Sequence, residues 1–494
     1  MARNGAITHV IVGSANSVFI PDLDDSPLGK KALRGLRFIH THLRDEPLNN
    51  EDIADLALLR FDMIAAISIK DRLPYKIYTA HLMPYGSDKK YEREAADFYR
   101  YDIDFNSTVR ALEDEMDRSR GFNQKDPRER AILVSASTEP KYELEDSMEE
   151  LKELAVSSDV IVLDAVIQRL KEVNPKYLLG EGKLKEIVIN AMDKGATLLI
   201  FDQDLNPSQI RAIAETTELK VIDRSQLILD IFARRAHSRD GKVQVELAQL
   251  KYALPRLTGK GTAMSRLTGG IGGRGPGEMK LEIDRRRIRD RIARLEKELK
   301  MLGEARRQRK QKRIEHRIPI VSIVGYTNAG KSTLLNALTR SSTVVEDKMF
   351  ATLDTASRRL KFPREREIII TDTVGFIRDL PKDLLAAFKA TLEELEDADL
   401  LVHVVDISNP RFEQHIASVE AILKELKISK KPALTVFNKI DKVSQEEADR
   451  TILRHHAIGV SAKHPDTLGP LLNAIEHRLW EPQIVEDFSE RVEV

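Results

Sequence analysis

Gly325-Tyr326-Thr327-Asn328-Ala329-Gly330-Lys331-Ser332 places two glycines, a lysine and a hydroxyl at the spacing G-x-x-x-x-G-K-[ST]. Glycines let backbone N–H groups close around a phosphate where a Cβ would intrude. A helix beginning at this point adds its positive N-terminal dipole. Lys331 has the reach for β and γ phosphates, and the Ser332 hydroxyl suits Mg²⁺; Thr333 follows on the same turn.

Further motifs follow downstream in the order that phosphoryl-transfer switches require. Phe350-Ala351-Thr352-Leu353-Asp354 falls in a loop, with Thr352 placed to ligate Mg²⁺ and sense the γ-phosphate. Asp372-Thr373-Val374-Gly375 ends an apolar run; Asp372 holds Mg²⁺ through water and the Gly375 N–H reaches the γ-phosphate. Loss of that phosphate would release both loops, which makes the pair a switch. Asn438-Lys439-Ile440-Asp441 is the most discriminating signal. A carboxylate at Asp441 accepts from both N1–H and the 2-amino group of guanine, and adenine offers neither donor. Ser461-Ala462-Lys463 completes the base pocket. The reading is of GTP hydrolysis to GDP and phosphate. Phe376 stands where a water-orienting glutamine is common, and a phenyl ring cannot hold water, so unassisted hydrolysis should be slow. Asn328 either ligates K⁺, as in potassium-stimulated relatives of such loops, or simply caps the turn.

These residues need a parallel α/β scaffold. Ile318 to Val324, Ile368 to Thr371, Leu400 to Asp406 and Ala433 to Phe437 are apolar and β-branched, as strands buried on both faces are. Ser332 to Arg340 reads as the helix after the phosphate loop. Upstream, Ala131 to Ala136, Val160 to Leu163, Thr197 to Phe201 and Lys220 to Ile222 alternate with helical stretches, predicting a smaller parallel α/β unit. Its Gly180-Glu181-Gly182-Lys183 turn reads as an ordinary strand-to-helix connection rather than a phosphate site. The expected division is 1–127, an extension; 128–258, the small α/β unit; 259–317, a glycine-rich loop and basic helical arm; 318–480, the nucleotide domain; and 481–494, a tail.

The arm stands out by charge. The chain as a whole is neutral, with 79 basic and 79 acidic residues. Between Lys280 and Arg317, however, 16 Lys and Arg face 7 Asp and Glu. Ile288, Ile292, Leu295, Leu299 and Leu302 recur at the spacing of a two-helix coiled-coil seam. The glycine-rich stretch before it, Gly259 to Gly277, suits the tip of a helical hairpin. A basic arm on a neutral protein points to RNA through its phosphates, not its bases.

Composition bounds the rest. Charged residues are 32% and hydrophobic residues 41%, which fits a globular protein. There is no cysteine, so disulfides and thiolate metal sites are excluded. No signal peptide and no membrane-length apolar run is evident, and the expectation is a cytoplasmic monomer without membrane contact.

In the first 127 residues, Thr8 to Val12 and Ser17 to Ile20 read as strands, Leu28 to Gly35 as a helix, and Leu36 to His40 and Met63 to Ile69 as strands. Tyr91 to Gly121 reads as a polar connector. His40-Thr41-His42 followed by Asp52 resembles the zinc site of JAB/MPN-type metallopeptidases. Asn49 and Leu43 replace the usual Ser and Pro, and no glutamate base precedes the histidines. Those departures favour a metal-free relic, or two ordinary strand-end histidines, over a working metallopeptidase.

From about Arg128 to Trp480 the chain resembles the HflX family of ribosome-associated GTPases. The likeness rests on Val221-Ile222-Asp223-Arg224, Leu229-Asp230-Ile231-Phe232, Val245-Glu246-Leu247-Ala248-Gln249-Leu250 and Gly270-Ile271-Gly272-Gly273-Arg274-Gly275-Pro276-Gly277-Glu278. It implies binding to the large ribosomal subunit near the peptidyl-transferase centre, and GTP-dependent splitting or rescue of stalled ribosomes. A GTP-regulated switch on a non-ribosomal RNA is the alternative.

Overall fold

The computed structural model describes residues 1–14, 18, 20, 23, 32–84, 91–123, 126, 128–217, 219–257, 276–315, 318–339, 349–350, 356–362, 366–373, 375–378 and 395–480. The chain is α/β and divides into two units: Met1–Ala155 with Asp159–Arg224, and Val156–Ser158 with Ser225–Val494.

The first unit holds two four-stranded sheets. In one, β1 (Arg37–His42) pairs parallel with β2 (Met63–Lys70), which continues antiparallel into β3 (Leu73–Leu82) and β4 (Tyr91–Asp97). Helix α1 (Asn50–Leu59) connects β1 to β2, starting on an Asn49 capping box closed by Asp52. The stretch expected to be a polar connector is instead β4 and α2 (Phe105–Asn123). It escapes notice because β4 is an edge strand with an exposed face, and among the described residues of α2 only Phe105, Val109 and Leu112 are buried beneath a charged surface. Residues 8–12 form no strand; Ile7, Val10 and Val12 are exposed, so their apolar character did not report a buried strand. Most of 15–31 lies outside the described residues.

The other sheet is wholly parallel, in the order β6-β5-β7-β8: β5 (Arg130–Ser137), β6 (Ile161–Arg169), β7 (Leu198–Phe201) and β8 (Lys220–Asp223). Helices α3 (Lys141–Ser157), α4 (Glu181–Asp193) and α5 (Pro207–Thr216) alternate with the strands. Gly180 is the N-cap of α4.

In the second unit, α6 (Arg224–Arg235) leads to α7 (Arg239–Arg256), which packs along the 40-residue α8 (Pro276–Glu315). Leu295 is buried between Val243 and Leu247, with Ile292, Leu299 and Leu302 beside it. Ion pairs Arg239–Glu298 and Glu246–Arg291 run in opposite order along the two helices, so the pair is antiparallel. The expected glycine-rich tip lies outside the described residues.

The remaining sheet has the order β10-β11-β9-β12-β13-β14. Its strands are β9 (Ile320–Gly325), β10 (Ala356–Lys361), β11 (Glu367–Asp372), β12 (Leu400–Asp406), β13 (Ala433–Asn438) and β14 (Ile458–Gly459); β10 alone is antiparallel. Helices α9 (Lys331–Thr339), α10 (Phe412–Glu425), α11 (Gln445–Arg454) and α12 (Gly469–Trp480) complete it. β9 sits between β11 and β12, so its C-terminal end opens at a crevice, where ligands bind in sheets of this kind.

Candidate nucleotide site

The loop from Gly325 to Ser332 leaves the end of β9 and enters α9. Gly325 has φ +153°, and a Cβ there would stand 2.2 Å from the Val404 carbonyl oxygen of β12. The close approach of two backbones excludes any side chain. Asn328 takes φ +60° and is exposed, whereas Tyr326, Thr327, Ala329 and Lys331 are buried. Thr333 is half-buried in the first turn of α9.

Lys331 donates from Nζ to the Tyr326 carbonyl at 2.7 Å. Burial pushes its ammonium down to about 8, opposed by the Asp372 carboxylate. An anion in the loop would favour the charged form further, and a triphosphate is such an anion. Ser332 Oγ donates to Asp372 at 2.6 Å, joining a hydroxyl at a helix N-terminus to a buried carboxylate. These are hard oxygen donors of the kind Mg²⁺ takes beside phosphates. Thr373 is buried and donates to the Ile323 carbonyl.

The segment after Asp372 is paired with the loop. Thr327 N–H donates to the Phe376 carbonyl at 2.8 Å, and Phe376 N–H donates to the Gly325 carbonyl at 3.1 Å. The Tyr326 hydroxyl accepts from the Arg378 N–H at 2.7 Å, while its ring stacks on His415 of α10 at 3.9 Å. Gly375 lies where a Cβ would meet Lys331 Nζ at 2.9 Å, so its backbone approaches that ammonium closely. The Phe376 side chain is buried.

The Asn438–Asp441 and Ser461–Lys463 motifs are knitted to the same loop. Asn438 Nδ2 donates to the Ala329 carbonyl at 2.9 Å, and its Oδ1 accepts from Ala462 N–H at 2.9 Å. Lys439, at φ +64°, reaches the Asn328 carbonyl at 2.8 Å and pairs with Asp406 at 2.7 Å. Ile440 and Asp441 follow on a short turn. Ser461 Oγ donates to Asp441 at 2.6 Å; this bond, first among the causes, holds the Asp441 carboxyl below its usual range. Lys463 is exposed beside buried Ser461 and Ala462. Phe350 is buried with its ring edge-on to Phe232 at 4.6 Å. Ala351, Thr352, Leu353, Asp354 and Val374 lie outside the described residues.

Sequence reasoning missed three contributors. Asp406 fixes Lys439, and its position at the end of an apolar strand was the available signal. Thr467 accepts from Ser461 N–H and donates to carbonyls of the same turn, but nothing in the sequence marks it. His403 is a lone polar ring in an apolar strand; burial, then the Lys331 charge, push its pKa down to about 4.

Family models described as "GTP-binding GTPase N-terminal", "GTP-binding GTPase Middle Region" and "50S ribosome-binding GTPase" match residues 145–233, 235–313 and 320–439. The GTPase HflX of Caldanaerobacter subterraneus is 48% identical over 361 residues, 73% of this chain and 83% of that protein. The chain belongs to the HflX GTPase family. The GTPase HflX of Escherichia coli is 44% identical over 326 residues, 66% of this chain and 76% of that protein. A GTP-binding protein from Sulfolobus solfataricus, solved with GDP, is 27% identical and covers 70% of this chain and 99% of that one, at a TM-score of 0.40. As an HflX-family GTPase the chain binds GTP and GDP and hydrolyses GTP. Among the described residues no helix is long and apolar enough to cross a membrane.

The second sequence-predicted cluster also comes together. His40 Nε2 lies 3.0 Å from His42 Nε2 and 3.2 Å from Asp52, and His42 Nε2 lies 3.6 Å from Asp52. It belongs to the first unit.

Proposed function

We propose that this GTPase engages the large ribosomal subunit in its GTP state and there splits or rescues stalled ribosomes, as a cytoplasmic monomer. What carries the reading is the agreement between an HflX-family GTPase domain and a basic helix, α8, packed antiparallel on α7. The family model over residues 320–439 bears the description "50S ribosome-binding GTPase", which supports the choice of partner. In this reading residues 128–258 and 259–317 present the arm to ribosomal RNA, and 318–480 governs when it binds.

The nucleotide roles follow from chemistry. Asp441 accepts from the guanine N1–H and 2-amino group, and Asn438 and Ser461 hold the walls of that pocket. Lys331 exchanges the Tyr326 carbonyl for β and γ phosphate oxygens, which lifts the cost of its burial. Ser332 and Thr352 would ligate Mg²⁺, with Asp372 acting through water; the ion supplies charge neutralisation on the phosphates when bound. The Gly375 N–H senses the γ-phosphate. Asn328 is assigned to K⁺. With Phe376 buried, no side chain at that position orients the attacking water. The isolated chain should therefore turn over slowly, faster in K⁺ than in Na⁺ buffer, and large subunits should accelerate it. Fast turnover alone, at equal rates in both salts, would contradict these assignments.

Co-sedimentation with large subunits tests the proposal. Binding is expected with a non-hydrolysable GTP analogue, lost with GDP and weakened by added salt. Equal binding in both nucleotide states would overturn it.

A further inference from the structure

We propose that His40, His42 and Asp52 form a mononuclear site for a divalent transition cation of the Zn²⁺ class, separate from the nucleotide site. The sequence alone favoured a metal-free relic; the arrangement of donor atoms argues otherwise.

Ligands at roughly 2.0–2.1 Å from a tetrahedral zinc stand roughly 3.3 Å from one another. Here the two imidazole Nε2 atoms are 3.0 Å apart, and they lie 3.2 and 3.6 Å from the oxygens of Asp52. One donor atom from each residue can be chosen with all three inside 4.8 Å. The 3.2 Å contact is to Oδ1 and the 3.6 Å contact to Oδ2, so the three side chains converge at about the edge length of a coordination tetrahedron.

The tautomer of His42 supplies an independent argument. Its Nδ1 lies 2.8 Å from the Glu46 carbonyl, which can only accept, so Nδ1 must carry the hydrogen. In the neutral ring the Nε2 lone pair then points into the cluster, towards another imidazole and a carboxylate. In the metal-free chain the hydrogen of His40 Nε2, 3.0 Å away, meets that lone pair; a cation would take the place of that hydrogen and draw on both rings. A backbone carbonyl fixing the far nitrogen is also how metal-bound histidines are oriented.

Asp52 is set by the fold and not by the histidines. Its Oδ2 accepts from the Asn49 N–H at 2.8 Å, closing the capping box that starts α1, while β1 presents His40 and His42. The three side chains are only 8–14% exposed, so the cluster is shielded yet within reach of an ion. With two nitrogens, one oxygen and no thiolate, the donor set suits Zn²⁺ and leaves a fourth position for water.

The test uses the full chain, stripped with chelator and saturated with Mg²⁺ and GDP so that the nucleotide site is filled. Zinc is added, the protein is desalted, and bound metal is counted. One zinc per chain is expected for the wild type. Roughly 100-fold weaker binding is expected for His42→Ala and for Asp52→Asn, with GTP hydrolysis unchanged in both. Asp52→Asn keeps an oxygen for the capping box, so α1 should remain intact. Cobalt in place of zinc should give the visible bands of a four-coordinate N/O site in the wild type, a readout that needs no variant. No retained zinc in the wild type, cobalt spectra of the free aqua ion, or equal zinc in wild type and both variants would overturn the proposal.

Discussion

The nucleotide site and the histidine–aspartate cluster are built in opposite ways. Around Gly325 the contacts are mostly backbone: carbonyls of Tyr326, Asn328 and Ala329 accept from Lys331, Lys439 and Asn438, and amides of Thr327 and Phe376 pair across the loop. At His40 three side chains converge from one strand and one helix start. A backbone site cannot admit a methyl group but tolerates many side chains at its variable positions. A side-chain site fails on the loss of one ligand and hardly notices its backbone. The difference explains why one was plain in the sequence while spacing only suggested the other.

The largest effect should come from the backbone site. Gly325→Ala places a Cβ 2.2 Å from the Val404 oxygen at φ +153°, so β9 and β12 must separate. We expect a destabilisation of at least about 3 kcal/mol and loss of GTP binding. Denaturant unfolding followed by Trp480, the single tryptophan, which packs beside Phe362 in this core, reads it. A variant that binds GTP normally would break the comparison.

A pH effect comes next. His403 is held neutral, with a pKa of about 4 against 6.5 in the unfolded chain. Between those values the unfolded state binds more protons, so stability falls as pH drops from 6.5 towards 4. The full loss is on the order of 3 kcal/mol. His403→Gln should flatten the dependence of the same Trp480 transition over that window; an unchanged slope would place the titrating group elsewhere.

The smallest effect belongs to the cluster's scaffold. Asn49→Ala removes the side-chain cap of α1, which accepts from Glu51 and Asp52 N–H. About 1 kcal/mol of local stability should be lost, seen as faster hydrogen exchange in α1, with GTP hydrolysis untouched. Exchange rates equal to wild type would show that α1 is held by packing alone.

Legibility follows the same division. β9, β11 and β12 are buried on both faces and announced themselves as unbroken apolar runs. The α7–α8 seam was readable from the spacing around Leu295. β4 and α2 were hidden because their outward residues are charged and their inward ones few. The convergence of His40, His42 and Asp52 was suggested by spacing, but the tautomer of His42 depends on a carbonyl contact that no sequence pattern encodes. Asp406 escaped for a similar reason: its partner Lys439 lies on the next strand's loop.

The central claim is that guanine recognition at Asp441 governs engagement of the large subunit. Asp441→Asn exchanges an acceptor for an amide donor, which suits the C2 carbonyl of xanthine in place of the 2-amino group of guanine. Sedimentation of this variant with large subunits, in non-hydrolysable xanthosine and guanosine triphosphate analogues, is the most direct test. The account predicts association with the xanthosine analogue only, and the reverse for the wild type. Association of the variant that is indifferent to the base, or unchanged with the guanosine analogue, would contradict it.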